Sequence, residues 1–350
     1  MKGLRTLLIP VLASLVYLAG VPAQAQLGPA ATPTPGQEDS GQLAGRRFDV
    51  HVPNGSGTAL YFGNGSLEGS LDDTRAVVIV HGVLRNADYY FQTGQILLDK
   101  AKAAHALLVA PQFIEEEDLI KARASDPQIL RWNDRWPGGS DAIAPAPIST
   151  YDVFDAMIAR LADRSRFPRM REIIIVGHSA GGQIVQRYAV VARAPETLRK
   201  DVRLHFIVAN PSSYLYFDDW RPHPQTGCSD FNKWRYGLDG APRYVQGTAA
   251  ELEARYVRRD VTYLLGASDI DPQEWDLDRT CGGEAQGRYR FARGVYYIKH
   301  LQQRNPQGTA QNYAYVRGVA HDNRQMFTSQ CGIDAIFGGS RNACAGHGKV

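Results

Sequence analysis

The run Ile173-Ile174-Ile175-Val176-Gly177-His178-Ser179-Ala180-Gly181-Gly182 limits what this chain can fold into more than any other segment. Four consecutive β-branched residues read as a strand buried on both faces. Gly-x-Ser-x-Gly follows at once. Ile184, Val185, Tyr188 and Ala189 then repeat at the spacing of one helical face, which predicts a helix over 181–192. A strand that turns into a helix within five residues brings backbone close to backbone, and Gly177 and Gly181 have no Cβ to obstruct it. Ser179 then projects from the strand end at a helix N-terminus, where the helix dipole favours developing negative charge. Ser179 is the expected nucleophile.

The rest of the chain supplies a sheet for that strand. Segments 76–80, 106–110, 204–209, 261–265 and 313–316 are short apolar runs of the same kind. Segments 47–52 and 58–62 flank Asn54-Gly55, a strong hairpin signal. Helical patterns alternate with the central strands. In 150–163, Val153, Phe154, Met157, Ile158 and Leu161 share one face, with Ser149 or Thr150 as N-cap. Alternation of this kind predicts a mostly parallel sheet with helices on both faces. Such sheets bind ligands beyond the C-terminal strand ends, so the residues just after each strand carry the functional argument.

A serine hydroxyl needs a base. His321 leaves the 313–316 strand on the loop Gly318-Val319-Ala320, and it is the expected base. Asp269 follows the 261–265 strand by way of Gly266-Ala267-Ser268 and is the expected acid, holding the imidazole in the required tautomer. Asp271 is the alternative. The order Ser, Asp, His is one of the known chain orders for such a triad. His178 is expected to point into the body. Oxyanion donors are expected from the Ala180 N–H and, after His81-Gly82, from the Val83 N–H. Arg85, Asn86 and Tyr89 are candidates for the mouth of the pocket.

Two segments are long for plain connections, 111–149 and 211–260. They hold Trp136 and Trp220, which are further substrate-binding candidates, and many other aromatics. The second is expected to form a lid-like insertion between strands 6 and 7. Aromatics of this kind serve packing as readily as binding. Glu115-Glu116-Glu117 is a candidate acidic group for holding a substrate amino terminus, against the usual reading of a charge run as a solvated face.

The N-terminus predicts export. Lys2 and Arg5 precede an apolar run over 7–18, and Ala23-Gln24-Ala25 offers a cleavage site, so 1–25 reads as a signal peptide. Segment 26–45, rich in Ala, Pro, Gly and Gln, reads as a flexible lead-in. That leaves 46–350 as one catalytic domain. No Cys near the cleavage site suggests a lipid anchor. The four cysteines, Cys228, Cys281, Cys331 and Cys344, lack the spacing of a structural zinc site and predict two disulfides. The short 331–344 loop closes easily, which favours Cys331–Cys344 and leaves Cys228–Cys281. Losing Lys2 and Arg5 takes two charges from a formal net charge of +3. Basic residues form no stripe, so no nucleic-acid partner is expected. Neither a metal nor a cofactor is expected; the acidic run Asp269, Asp271, Asp276 and Asp278 lacks the turn glycine of a calcium loop and reads as solvated.

Val80-His81-Gly82, Gly177-His178-Ser179-Ala180-Gly181-Gly182, Gly266-x-x-Asp269 and Val319-Ala320-His321 together resemble the α/β-hydrolase superfamily in kind and order. Segments around Arg85-Asn86-Ala87, Phe167-Pro168 and Gly181-Gly182-Gln183 are similar to those of secreted microbial serine hydrolases of mostly unassigned substrate. The resemblance implies an eight-stranded, mostly parallel sheet and a cofactor-free triad. The loop after His81-Gly82 lacks the further glycines of His-Gly-Gly-Gly esterases, which argues against that branch. The reading is an exported hydrolase of carboxylic esters, with an apolar or polymeric ester as substrate. Alternatives are a peptidase or amidase with the same triad, a polyester depolymerase or lipase, and a non-catalytic binding protein.

Overall fold

The computed structural model describes residues 41–350. The expected signal peptide, and the lead-in up to residue 40, lie outside the described residues. A single sheet organises the molecule, with strands β1 (Arg46–Val52), β2 (Gly55–Gly63), β3 (Arg75–Val80), β4 (Ala106–Gln112), β5 (Glu172–His178), β6 (Arg203–Ala209), β7 (Asp260–Gly266), β8 (Asn312–Val316) and β9 (Gly346–Lys349). They lie side by side in the order β1-β2-β4-β3-β5-β6-β7-β8-β9. Strands β4, β3, β5, β6, β7 and β8 are parallel neighbours; β1, β2 and β9 pair antiparallel at the edges.

The expected eight strands are therefore nine. Gly346-His347-Gly348-Lys349 has no apolar content to reveal it, and it becomes a strand only because the β8 edge offers unpaired backbone groups.

Helices α1 (Ala87–Ala101), α2 (Glu116–Lys121), α3 (Thr150–Ala162), α4 (Ala180–Val191), α5 (Ala194–Thr197), α6 (Ala249–Tyr256), α7 (Cys281–Glu284), α8 (Arg290–Arg304), α9 (Asn323–Thr328) and α10 (Gln330–Phe337) fill the connections. The alternation of strand side chains sorts the core into two layers. Val78, Val80, Ile173 and Ile175 pack with Phe154 and Ile158 of α3, Ile184 and Tyr188 of α4, and Ile298 and Leu301 of α8. Val77, Ile79, Ile174 and Val176 face the other way, toward Leu97 of α1, Met326 of α9 and Ile336 of α10. Burying each such aliphatic side chain contributes about 1.5–3 kcal/mol.

Ser149 caps α3 by accepting the Tyr151 N–H, as its sequence position predicts. Two disulfides, Cys228–Cys281 and Cys331–Cys344, join the cysteines in the expected pairs. Among the described residues, no helix is long and apolar enough to cross a membrane.

The long segment after β6 departs from the expected bounds of 211–260. Residues 249–256 form α6 and Asp260 already belongs to β7. Between Asn210 and Thr248 the chain has turns and an isolated bridge but no strand or helix. Tyr214, Tyr216, Phe217 and Tyr244 of this segment are buried in the same core as α4 and α8.

Candidate active site

Six parallel strands end along one edge, and the loops leaving β3, β5, β6, β7 and β8 build the site. β5 runs straight into Ser179, which has φ 59° and ψ −123°. That backbone region is costly for a residue with a side chain, and it aims the hydroxyl away from the sheet. The flanking glycines leave the turn no alternative. A Cβ on Gly177 would stand 2.1 Å from the Gly181 carbonyl oxygen, and one on Gly181 would stand 2.4 Å from that of Val80. The Ser179 N–H donates to the Ala209 carbonyl at 3.1 Å, tying the elbow to β6.

β7 and β8 deliver the next two groups. His321 Nδ1 lies 2.7 Å from Asp269 Oδ2, and Asp269 is buried. Asp271, the alternative acid, is exposed and accepts the Gln273 N–H instead. It is not brought to the imidazole.

The other face of His321 meets a residue read from sequence as part of a solvated acidic loop. The Asp276 side chain is 7% exposed, with its Oδ2 3.3 Å from Ser179 Oγ and 3.4 Å from His321 Nε2. Its Oδ1 is 2.5 Å from Arg290 Nη2. Arg290 is wholly inaccessible to solvent. Its Nε donates to Ser212 Oγ at 3.1 Å, and its Nη1 lies 3.7 Å from Asp269 Oδ1, too far for a hydrogen bond. One guanidinium thus stands between two carboxylates, each turned toward His321.

These charges set the protonation of the site. Burial, the largest influence on His321, lowers its pKa, as does Arg290. Asp269 and Asp276 outweigh both and hold it above the ordinary histidine value. Burial likewise raises the Asp276 carboxyl, but hydrogen bonds and charges from His321 and Arg290 overcome it and hold the group well below the usual carboxylate range.

His178 is buried as expected, packed against Phe327 with ring centroids 6.2 Å apart. Its ring lies against His321, with centroids 4.4 Å apart, and it lines the cleft. Burial, then the charges of His321 and Arg290, push its pKa well down, so the ring is neutral.

Two cavities meet over Ser179. Both are lined by Val83, Ser179, Trp275 and Asp276. One continues along Asn86, Tyr90 and His321. The other, of about 340 Å³, continues past Gln183, Arg235, Asp278 and Arg279. Val83 is partly exposed here. Ala180 is the first residue of α4, so its N–H has no acceptor within the helix.

Of the proposed mouth residues, Asn86 lines the cleft, while Arg85 and Tyr89 do not. Arg85 turns away to pair with Asp118 at 2.7 Å and Glu115 at 3.2 Å. Tyr89 packs under the Arg324 guanidinium, because the turn of α1 presents Tyr90 inward instead. Trp136 is buried, stacked on Phe113 with centroids 5.5 Å apart. Trp220 stacks on His300 at 4.2 Å, outside both cavities. Glu115 and Glu116 pair with Arg85 and Arg131 and are likewise outside them. Sequence reasoning missed Trp275, Asp276 and Arg290. The one local signal was Trp275, an apolar residue inside an acidic run.

No protein-family profile matches the chain, and no curated protein matches it. Among solved structures it is similar to poly(aspartic acid) hydrolase-1 from Sphingomonas sp. KT-1, with 21% identity, 84% of this chain and 98% of that chain covered, and a TM-score of 0.57. It is also similar to LpqC, a poly(3-hydroxybutyrate) depolymerase from Bordetella parapertussis, with 23% identity, 86% and 92% covered, and a TM-score of 0.56. Sheet order, elbow and strand-end loops together give this chain the α/β-hydrolase fold.

Proposed function

We propose that this chain is an exported serine hydrolase that cleaves carboxylic esters through an acyl-enzyme. One observation carries the reading: a strained serine at a strand-to-helix elbow shares one small space with an imidazole whose far nitrogen is held by a buried carboxylate 2.7 Å away. In this reading Ser179 Oγ attacks the ester carbonyl carbon while His321 takes its proton, with Asp269 orienting the ring. The Val83 and Ala180 amides receive the oxyanion. The carbon–oxygen bond to the alcohol breaks, and His321 returns the proton to the leaving oxygen. Water, deprotonated by His321, then attacks the acyl carbon and frees the acid and Ser179.

A polymeric ester is favoured within this class. The cleft continues on both sides of Ser179, so a chain can run across the nucleophile. The two similar structures act on polymers by name, which supports the same reading. The polar lining opposes the long apolar acyl chain of a lipase substrate. Two disulfides agree with an oxidising compartment.

The test is hydrolysis of 4-nitrophenyl acetate, butyrate and palmitate by the native chain and by Ser179→Ala, alongside labelling with a fluorophosphonate. The expected result is turnover of the shorter esters, lost in the variant, and label on Ser179 alone. Turnover that survives Ser179→Ala would remove the nucleophile from this reading.

A further inference from the structure

The site already holds a carboxylate, and it is the protein's own. Asp276 places one oxygen within 3.4 Å of both Ser179 Oγ and His321 Nε2, and its other oxygen on Arg290. A released acid product would occupy the same ground, with one oxygen between nucleophile and base. While Asp276 sits there, the serine hydroxyl donates to a carboxylate and not to the imidazole. Both steps of the reaction need that carboxylate displaced: attack requires the Ser179–His321 contact, and deacylation requires water beside His321.

Displacement leaves a specific deficit. Arg290 is wholly buried; its Nη2 is hydrogen-bonded to Asp276 alone, its Nε is satisfied by Ser212, and its Nη1 has no hydrogen bond. Removing Asp276 alone would take from a buried cation its closest counter-charge and the one acceptor of Nη2, leaving Asp269 at 3.7 Å as the remaining carboxylate, which is unfavourable. A neutral ester offers Arg290 an uncharged acceptor only and no compensating charge. An incoming carboxylate restores both charge and hydrogen bonds.

Taking the proposed function as its premise, we infer that Arg290 is a carboxylate-binding residue and that the preferred substrates carry a free carboxylate in the acyl part, near the scissile carbonyl. The acyl part is specified because the alcohol departs after the first step, whereas Asp276 must stay displaced through the second. Arg290, Ser212 and the segment bearing Trp275 and Asp276 then form one exchange site, closed by Asp276 at rest and by substrate during turnover.

Two measurements on the full chain test this. The first compares kcat/KM for 4-nitrophenyl hydrogen succinate with that for 4-nitrophenyl butyrate, an uncharged ester of the same length. The native chain is expected to prefer the succinate at least tenfold, a preference that Arg290→Gln loses and Arg290→Lys partly restores. A native chain that turns over butyrate as well as or better than the succinate overturns the inference. The second needs no change at Arg290. In Asp276→Ala, sodium acetate is expected to slow fluorophosphonate labelling of Ser179 at least tenfold more than sodium chloride of equal ionic strength. Equal effects of the two salts overturn the inference. Failure of the probe to label Ser179 in either protein strikes the nucleophile assignment instead, so the two failures are distinct.

Discussion

The imidazoles of His178 and His321 lie ring against ring, with centroids 4.4 Å apart and planes 35° from parallel. The two rings have opposite titration behaviour. Burial and the charges of His321 and Arg290 push His178 down, whereas Asp269 and Asp276 hold His321 up. A neutral ring can lie against one that becomes cationic; two cations could not share this space without strong repulsion. Imidazole NMR should therefore show one of the pair titrating above pH 6.5 and the other staying neutral well below it. Two rings titrating together near pH 6.5 would contradict the assigned environments.

Catalysis should distinguish the two aspartates after β7. Asp269→Asn keeps the shape but presents the wrong partner to His321 Nδ1. A fall in kcat of about 10³–10⁴ is expected by analogy with other triads. Asp271→Asn, on an exposed side chain that accepts only the Gln273 N–H, should stay within about twofold of the native rate. Comparable losses in the two variants would remove Asp269 from its role.

The pH–rate profile should report the second carboxylate. His321 acts as a base only when neutral, so activity rises with pH through its pKa, which lies above 6.5 in the native site. Asp269, Asp276, Arg290 and His178 all face this ring. Asp276 favours the charged form, so Asp276→Asn should move the rising limb to lower pH. The profile to read is that of kcat/KM, which reports the free enzyme; a limb that stays in place there would show that Asp276 does not face the ring in the resting site.

Acid should weaken the fold through histidines kept neutral. His205, buried between β6 and β7 and 3.1 Å from Thr262 Oγ1, is pushed down to about 4 by burial. Its folded value lies below its unfolded one, so its contribution is present above pH 6.5 and is lost as pH falls toward 4. Between pH 7 and 5 that amounts to about 2 kcal/mol. Urea unfolding at the two pH values should show the loss, and His205→Gln should show less of it.

Gly177→Ala should abolish the elbow, because its Cβ would meet the Gly181 carbonyl oxygen at 2.1 Å, a clash with backbone that cannot turn aside. Neither soluble expression at the native level nor fluorophosphonate labelling is expected from this variant.

What could be read from sequence is what is local to a strand end. Ser179, Asp269 and His321 each follow an apolar run by only a few residues, so the sequence alone marks all three as strand-end residues. Asp276 and Arg290 sit 14 residues apart in chain, on a loop and at the start of α8, and only the packing of that helix brings them together. Tyr89 and Tyr90 differ by one position, a 100° turn on a helix, and the sequence points to Tyr89 where the structure lines the cleft with Tyr90. Trp136 and Trp220 show a different difficulty: a large ring packs a core or lines a pocket with the same composition around it. β9 was invisible because its pairing comes entirely from the edge of β8.

The disulfide Cys228–Cys281 spans 53 residues and fastens the long segment after β6 to the chain just beyond Trp275 and Asp276. The strip bearing Trp275 and Asp276, which lines the space over Ser179, is thus anchored at one end by β7 and at the other by a covalent bond. Beyond what it contributes to the fold, this one bond removes freedom from the segment that lines the space over Ser179.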